Sequence, residues 1–474
     1  MNKRILNLLF LSIILRFIVS GQQCNTVYFM DRVPQSNHPN PARMFPCKFY
    51  IGAPGLAPFQ ASLIHSGPTF NDIYVKDPSS DSMATFLHPE WGDPDKLLKS
   101  MNKVNYLMTD ASVSIASIGF YANPEYFITF EITEKANAIL SYPRAFFEFM
   151  PVLGKNEDGK EYDMHHLAFE AKHYREYAIG ISKKVDYRWT VGLRPKLLFG
   201  KFNISTRNDL TIKTGLEQWE IPESGITVNS SNPLYQAVYD SNGNIRDVEE
   251  VDELDVSNYL FNKRNYGLAI DFGAIYQFTD KIEFSASVID LGGINWRSNN
   301  FNWSQQSGFL WKGINMSTDT TTKQDYETIA DSMRFEITQD PYASGLQTKL
   351  YLGARYLVNK NFSVGLLNRN MFFRGRLLPQ LTMSANVSDK FISASLSYSM
   401  MYNSFDNFGF GINFKVAPFN LYIIMDNMPI QFYDITQEDG SRFLLPYGKV
   451  KNIRLGLNLV FGCKDIGRDK PLIL

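Results

Sequence analysis

Past its N-terminus, this 474-residue chain has no run of about 20 apolar residues, so crossing a membrane as a helix is excluded. It has only three cysteines, Cys24, Cys47 and Cys463, none in a C-x-x-C pair, which rules out a zinc framework. It carries almost no net charge, −1 from 47 basic and 48 acidic residues, which argues against nucleic acid or another polyanion as partner. There are six histidines and no G-x-S-x-G. His165 and His166 are adjacent, so in an extended segment they face opposite sides and cannot chelate one ion. The acidic run from Asp247 to Asp255 reads as a solvated loop. A calcium loop starting at Asp240 fails because its sixth position is Ile245 rather than glycine. No catalytic, metal or cofactor residue is assigned, and the chain is not expected to be an enzyme.

Aromatic residues, by contrast, are abundant at 14%, while mean hydropathy is slightly negative. A membrane barrel combines these, with a greasy outer wall ringed by aromatics and a polar lumen and loops. Lys3 and Arg4 followed by the apolar stretch Ile5 to Leu15, with Val19-Ser20-Gly21 at the cleavage position, read as a secretory signal that leaves Gln22 as the first mature residue. Arg16 departs from that pattern, and an N-terminal anchor is the alternative. Cys24 is close to the cleavage site, but Gln23 stands where lipoprotein processing needs a small residue. A Cys24–Cys47 disulfide is chemically permitted after export, and unpaired cysteines are an alternative of at least equal standing.

The dominant pattern is alternation with period two, which places successive side chains on opposite faces of a strand. In 390–400, Ile392, Ala394, Leu396, Tyr398 and Met400 alternate with Ser393, Ser395, Ser397 and Ser399. In 264–278, Tyr266, Leu268, Ile270, Phe272, Ala274, Tyr276 and Phe278 share one face, and only Ile275 breaks the rule. In 451–461, Ile453, Leu455, Leu457, Leu459 and Phe461 oppose Arg454, Gly456 and Asn458. One such strand would suit a soluble sandwich equally well. A long series of them, each the length of a tilted bilayer crossing, points to a transmembrane antiparallel β-barrel.

Fourteen strands are predicted, at 48–64, 105–121, 126–139, 163–182, 187–214, 264–278, 281–295, 345–358, 361–373, 376–387, 390–402, 405–416, 418–427 and 450–461. Tight joins and long connections then fall at opposite ends of the barrel, and both termini are periplasmic. Pro54 and Pro58 interrupt the first strand, and the fifth is long for a single crossing. Short helices are predicted over Arg144 to Met150 and over Asp325 to Ile337. The domain reading is a signal peptide at 1–21, a hatch or plug segment at 22–46, the barrel at 47–461 and a short tail at 462–474. The face opposite the apolar one carries Glu170, Lys172, Glu176, Arg188, Arg194, Lys196, Asp271, Glu283, Lys349, Arg355 and Arg454, a mixture of signs that predicts a salt-bridged or plugged lumen. His173 has the parity of the lipid side.

Asn25-Thr-Val-Tyr-Phe-Met30, Val33-Pro-Gln-Ser-Asn37, Asn40-Pro41-Ala42, Phe49-Tyr50-Ile51-Gly52 and Pro54-Gly55-Leu56 open the mature chain. With Tyr174-Arg-Glu-Tyr-Ala178, Val191-Gly-Leu-Arg-Pro-Lys196, Phe199-Gly200, Ala354-Arg-Tyr356 and Leu455-Gly-Leu-Asn-Leu-Val-Phe461, this resembles a family of Bacteroidota outer-membrane barrels that is itself similar to the FadL-type long-chain fatty-acid transporters. The resemblance implies a fourteen-stranded barrel whose N-terminal segment forms a hatch, with Asn40, Pro41 and Ala42 as its candidate residues. No greasy groove like that of a fatty-acid transporter is evident, so the barrel carries over more safely than the substrate. The expected function is passive transport of a hydrophobic small molecule across the outer membrane. The alternative is a structural or docking barrel that meets a protein partner through its extracellular loops. Outer-membrane lipid is a partner on either reading, and no cofactor is implied.

Overall fold

The computed structural model describes residues 25–52, 58–76, 83–149, 159–215, 219–221, 225–241, 245–305, 308–311, 335–401, 404–426, 432–436, 442–446 and 450–463. The signal-peptide reading, Cys24 and nearly all of the 462–474 tail lie outside these residues.

Fourteen antiparallel strands close on themselves. They are β1 (Cys47–Gly52 and Phe59–His65), β2 (Val104–Asn123), β3 (Tyr126–Pro143), β4 (Ala168–Lys184), β5 (Trp189–Arg207), β6 (Tyr266–Gln277) and β7 (Ile282–Trp296), followed by β8 (Tyr342–Gly345 and Lys349–Leu357), β9 (Phe362–Phe373), β10 (Arg376–Ser388), β11 (Ile392–Met401), β12 (Ser404–Val416), β13 (Phe419–Asp426) and β14 (Val450–Cys463). Each pairs with the next, and β14 returns to both halves of β1, so the sheet closes into a barrel. The alternation has its physical cause in the closure. On β11 the four serines are buried while Leu396 is 59% exposed, because the lumen takes the polar face and the membrane the apolar one. At the end bearing the tight turns, outward aromatics form a belt, with Trp189 against Tyr276 and Phe278 against Phe284.

The fifth and fourth strands are shorter than the sequence predicts. β5 stops at Arg207, and Thr211–Lys213 is a separate strand that pairs with Glu161–Asp163. The helix over Arg144 to Met150 is present as Arg144–Glu148. The second predicted helix is corrected where it can be seen, because Phe335–Thr338 is a strand paired with Asn300–Gln305, and 325–334 lies outside the described residues. Cys47 is bonded to Cys463, not to Cys24, because barrel closure sets the first strand beside the last. The ladder of β1 stops at Gly52 and resumes at Phe59. On β2 only residues 114–116 separate the two stretches of pairing.

Candidate functional site

The lumen is filled from the tight-turn end by the chain's own N-terminal segment, residues 25–46. Two short 3-10 turns, Asn25–Phe29 and Pro34–Asn37, give it a compact path; Pro34 starts the second, where a missing N–H costs nothing. The segment is held at both ends. The Asn25 amide donates to Asp426 of β13 at 2.5 Å, and the Thr26 hydroxyl meets Asp426 and Ser397. Val27, Met30 and Val33 pack on Tyr422 and Ile424, and Tyr28 stacks on Tyr351. The chain then descends and joins the wall at Cys47, the first residue of β1.

Asn40, Pro41 and Ala42 are fully or almost fully buried against β4, β5, β6 and β7. The Asn40 side-chain oxygen accepts the Ala42 amide at 2.9 Å, which closes a tight turn. Ser182 donates to the Pro41 carbonyl at 2.6 Å and Ser287 to the Pro39 carbonyl at 2.5 Å. Gly192 and Gly273 make this seat possible. A Cβ on Gly192 would lie 2.2 Å from the Pro41 carbonyl carbon, and one on Gly273 would lie 2.2 Å from the Asn40 oxygen.

Charges lock the segment to the wall. Arg43 pairs with Asp31 at 2.6 Å and with Glu283 at 3.1 Å, and Arg355 pairs with the same two acids, so four charges form a closed ring, two from the segment and two from the wall. Arg194 donates to the Asn37 carbonyl at 2.8 Å. His38 sits between Glu131 at 2.8 Å and Arg454 at 2.6 Å. A guanidinium only donates, so Nδ1 of His38 must accept and Nε2 must carry the proton that meets Glu131. Burial pushes this imidazole down to about 4, against the pull of Glu131 and with the help of Arg454 and Arg194.

Above the segment lies a second charged layer centred on Asp290. Its carboxylate takes Lys196 at 2.6 Å and Lys349 at 2.8 Å, with Lys135 at 3.9 Å. Lys196 also meets Asp271 at 2.8 Å, and Lys135 meets Glu176 at 2.7 Å. Asp290 has φ +60°, at an irregularity in the β6–β7 register that turns its side chain into this cluster. The cavity that remains among these groups is about 50 Å³, room for roughly one or two waters.

The third layer, at the long-loop end, is apolar. Ile64, Val104, Tyr106, Met108 and Ile139 of β1–β3 pack on Met371, Phe373, Leu378 and Met401 of β9–β11. These strands are not neighbours in the sheet. Their side chains meet across the lumen, with the Tyr106 and Phe373 rings edge to face at 6.3 Å. Facing the loops is an open recess of about 340 Å³ lined by Val104, Tyr106, Leu378, Met401 and Phe405, with Arg376 among its polar neighbours.

Of the charges singled out in the sequence, Lys172, Glu176, Arg194, Lys196, Asp271, Glu283, Lys349 and Arg454 are buried on the lumen side, and Arg355 is nearly so. Glu170 is half-buried and pairs with Lys172. Arg188 is not brought to the lumen. It lies exposed in the Asp186–Trp189 turn, beside the Tyr187 ring, because β5 begins only at Trp189. Sequence reasoning missed Asp31, Arg43, Glu131, Lys135 and Asp290. The Thr129, Glu131, Thr133, Lys135 series on β3 was a polar face legible by parity, whereas the irregularity at Asp290 has no such signal. His165 bonds Asp163 in a turn, and His173 faces outward, where it meets Glu134 and Tyr259. Among the described residues, no group of His, Cys, Asp and Glu is placed to hold a metal ion.

A search of curated protein sequences finds no match. Among solved structures, the chain is similar to the toluene transporter TbuX of Ralstonia pickettii, at 9% identity over 91% of this chain and 94% of that one, with a TM-score of 0.40. It is also similar to the monoaromatic hydrocarbon channel CymD, at 7% identity over 94% and 98% of the two chains and a TM-score of 0.40. A Pseudomonas aeruginosa FadL homologue matches at 8% identity over 91% and 94%, with a TM-score of 0.37. Likeness at this level carries no argument about a ligand. The sequence model of a family of unknown function, DUF5723, matches residues 41–426, and the chain belongs to that family.

Proposed function

We propose that this protein is an outer-membrane barrel that passes a hydrophobic small molecule while staying closed to ions. The observation that carries the reading is the order of the three layers. An apolar layer crosses the lumen at the long-loop end, where a 340 Å³ recess opens outward onto Tyr106, Leu378 and Met401. A small molecule burying ~200 Å² of apolar surface there gains ~5 kcal/mol before the costs of association. That is weak, releasable binding, suited to passage. The methionines Met108, Met371 and Met401 give the layer side chains that repack easily. Below it the lumen is charged and filled, so an apolar ligand cannot descend without parting ion pairs. The interruption of β1 between Gly52 and Phe59 lies lower, beside the charged cavity that Pro58 and Gln60 line, so a ligand leaving sideways there must first pass part of the charged layer. Residues 25–46, with Asn40, Pro41 and Ala42 seated on Gly192 and Gly273, act as the hatch that closes the periplasmic half.

The test uses purified protein in lipid vesicles with a hydrophobic fluorescent dye, together with single-channel recording. Wild type should bind dye saturably and speed its entry without conducting ions, and Met401→Lys should lose the dye effects. Dye entry that is the same in empty vesicles, wild type and Met401→Lys ends the transport reading.

A docking barrel is the second reading. One observation favours it: the connections at the long-loop end are built into sheets. Thr227–Ser231, Asn300–Gln305 and Phe335–Thr338 extend the wall from β5, and a separate four-stranded sheet stands beside them. Such a platform fits a protein partner.

A further inference from the structure

Arg454 is the exception among the cations that line the 50 Å³ cavity. It is 2% exposed, and its Nη2 donates to His38. Its Nε and Nη1 are buried with no hydrogen-bond partner among the described residues. The other cations on the same cavity, Lys135, Arg194, Lys196 and Lys349, each have a carboxylate within ion-pair distance, and among the described residues Arg454 has none. With Asp271 behind the wall, five cations stand near five carboxylates, so what Arg454 lacks is a partner within reach and not charge balance in the layer. A buried guanidinium without a counter-charge is expensive to hold in a low-dielectric interior.

The strand register adds a second, independent feature. Arg454 lies opposite Gln60, Gln60 opposite Ser112, and Ser112 opposite Lys135. Four side chains that carry N–H or O–H donors therefore stand in one row on adjacent strands, and all four line the 50 Å³ cavity. Oriented donors around a small polar space form an anion site.

We propose that this cavity binds one small anion, a halide by its size, as the counter-ion of Arg454, with Gln60, Ser112 and Lys135 completing its shell. The site is independent of what the barrel transports. It ties β14, β1, β2 and β3 together beside the interruption in β1, so its occupancy stabilises the wall there.

The test is a melting series of the full protein in detergent, in sodium bromide against sodium gluconate at constant ionic strength, with anomalous diffraction from crystals grown in bromide. The expected result is a bromine peak in contact with the Arg454 guanidinium and a saturable rise in melting temperature in bromide alone. In Arg454→Gln the bromide concentration at half-effect should rise by about tenfold or more, the loss of one charge-assisted hydrogen bond and its ion pair. If that variant does not fold, Ser112→Ala serves in the same titration, and a weaker bromide response is expected. No bromine peak at Arg454, equal melting in the two salts, or an undiminished response in the variant overturns the proposal. Stabilisation by acetate but not bromide also overturns it, in favour of a carboxylate.

Discussion

Arg43 reaches out of the N-terminal segment to Glu283 on the wall at 3.1 Å, and Arg355 beside it returns to Asp31 of the segment, so the seat is closed by a ring of alternating charges. Removing one member leaves two guanidiniums sharing one carboxylate in a buried place. Breaking such a pair costs about 3–5 kcal/mol. Glu283→Gln should therefore lower the melting temperature by several degrees and turn a silent barrel into one with intermittent ion conductance in planar bilayers. Arg43→Met in the same chain should recover part of the stability, because it removes the surplus cation. A Glu283→Gln barrel as silent and as stable as wild type would show that the ring does not hold the segment.

The bridge between Cys47 and Cys463 spans 416 positions of sequence and staples the first strand to the last at the tight-turn end. It forms once those strands meet, in an oxidising compartment. On gels, fully unfolded but unreduced protein should migrate faster than the reduced form, since the bridge keeps the chain in one large loop. Cys47→Ser should abolish that difference and cost about 2–4 kcal/mol in denaturant unfolding. Identical migration with and without reductant would rule the bridge out.

His38 belongs to the N-terminal segment, not to a spanning strand, and is held neutral by burial, helped by Arg454 on one side of its ring. Its folded-state value of about 4 lies below the unfolded 6.5. Between those values the unfolded chain binds the proton more readily, so the folded state loses stability as pH falls through that window. Glu131, Arg454 and Arg194 are the charged groups around it. The melting temperature of wild type should drop between pH 7 and pH 4.5 by more than that of His38→Gln. Parallel pH profiles for the two proteins would refute this account.

The barrel was largely legible because its cause is local. Each crossing alternates with period two, as in Ser393 to Ser399 against Ile392 to Met400, and tight joins such as Ser388–Asp389 mark one end. The interruption of β1 was legible in Pro54 and Pro58. Parity failed where geometry departs from it. Arg188 kept the parity of a strand that had already ended, and Asp290 enters the cluster from an irregularity with positive φ. Asp31 and Arg43 lie in irregular chain, where no periodicity assigns a face. The partner of Cys47 was illegible for a different reason: closing the barrel pairs residues almost the whole chain apart, and no local pattern reports which ends meet.

The apolar layer of Tyr106 and Phe373 and the N-terminal segment close the same lumen at different heights, and barriers in series are not revealed one at a time. Tyr106→Ala with Phe373→Ala removes the aromatic pair that bridges the lumen, and each truncation of a large buried side chain costs a few kcal/mol. The double variant should melt lower and bind hydrophobic dye more weakly, yet remain silent to ions, because the charged layer and the segment below are intact. Placed in the Glu283→Gln background, where the lower closure is loosened, the same pair of changes should raise open-state conductance above that of Glu283→Gln alone. The comparison separates two arrangements. If the double variant conducts on its own, the segment does not seal the lumen and the apolar layer is the working barrier. If it adds nothing in the loosened background, ions bypass that layer, and the recess above it is a surface feature rather than part of the path.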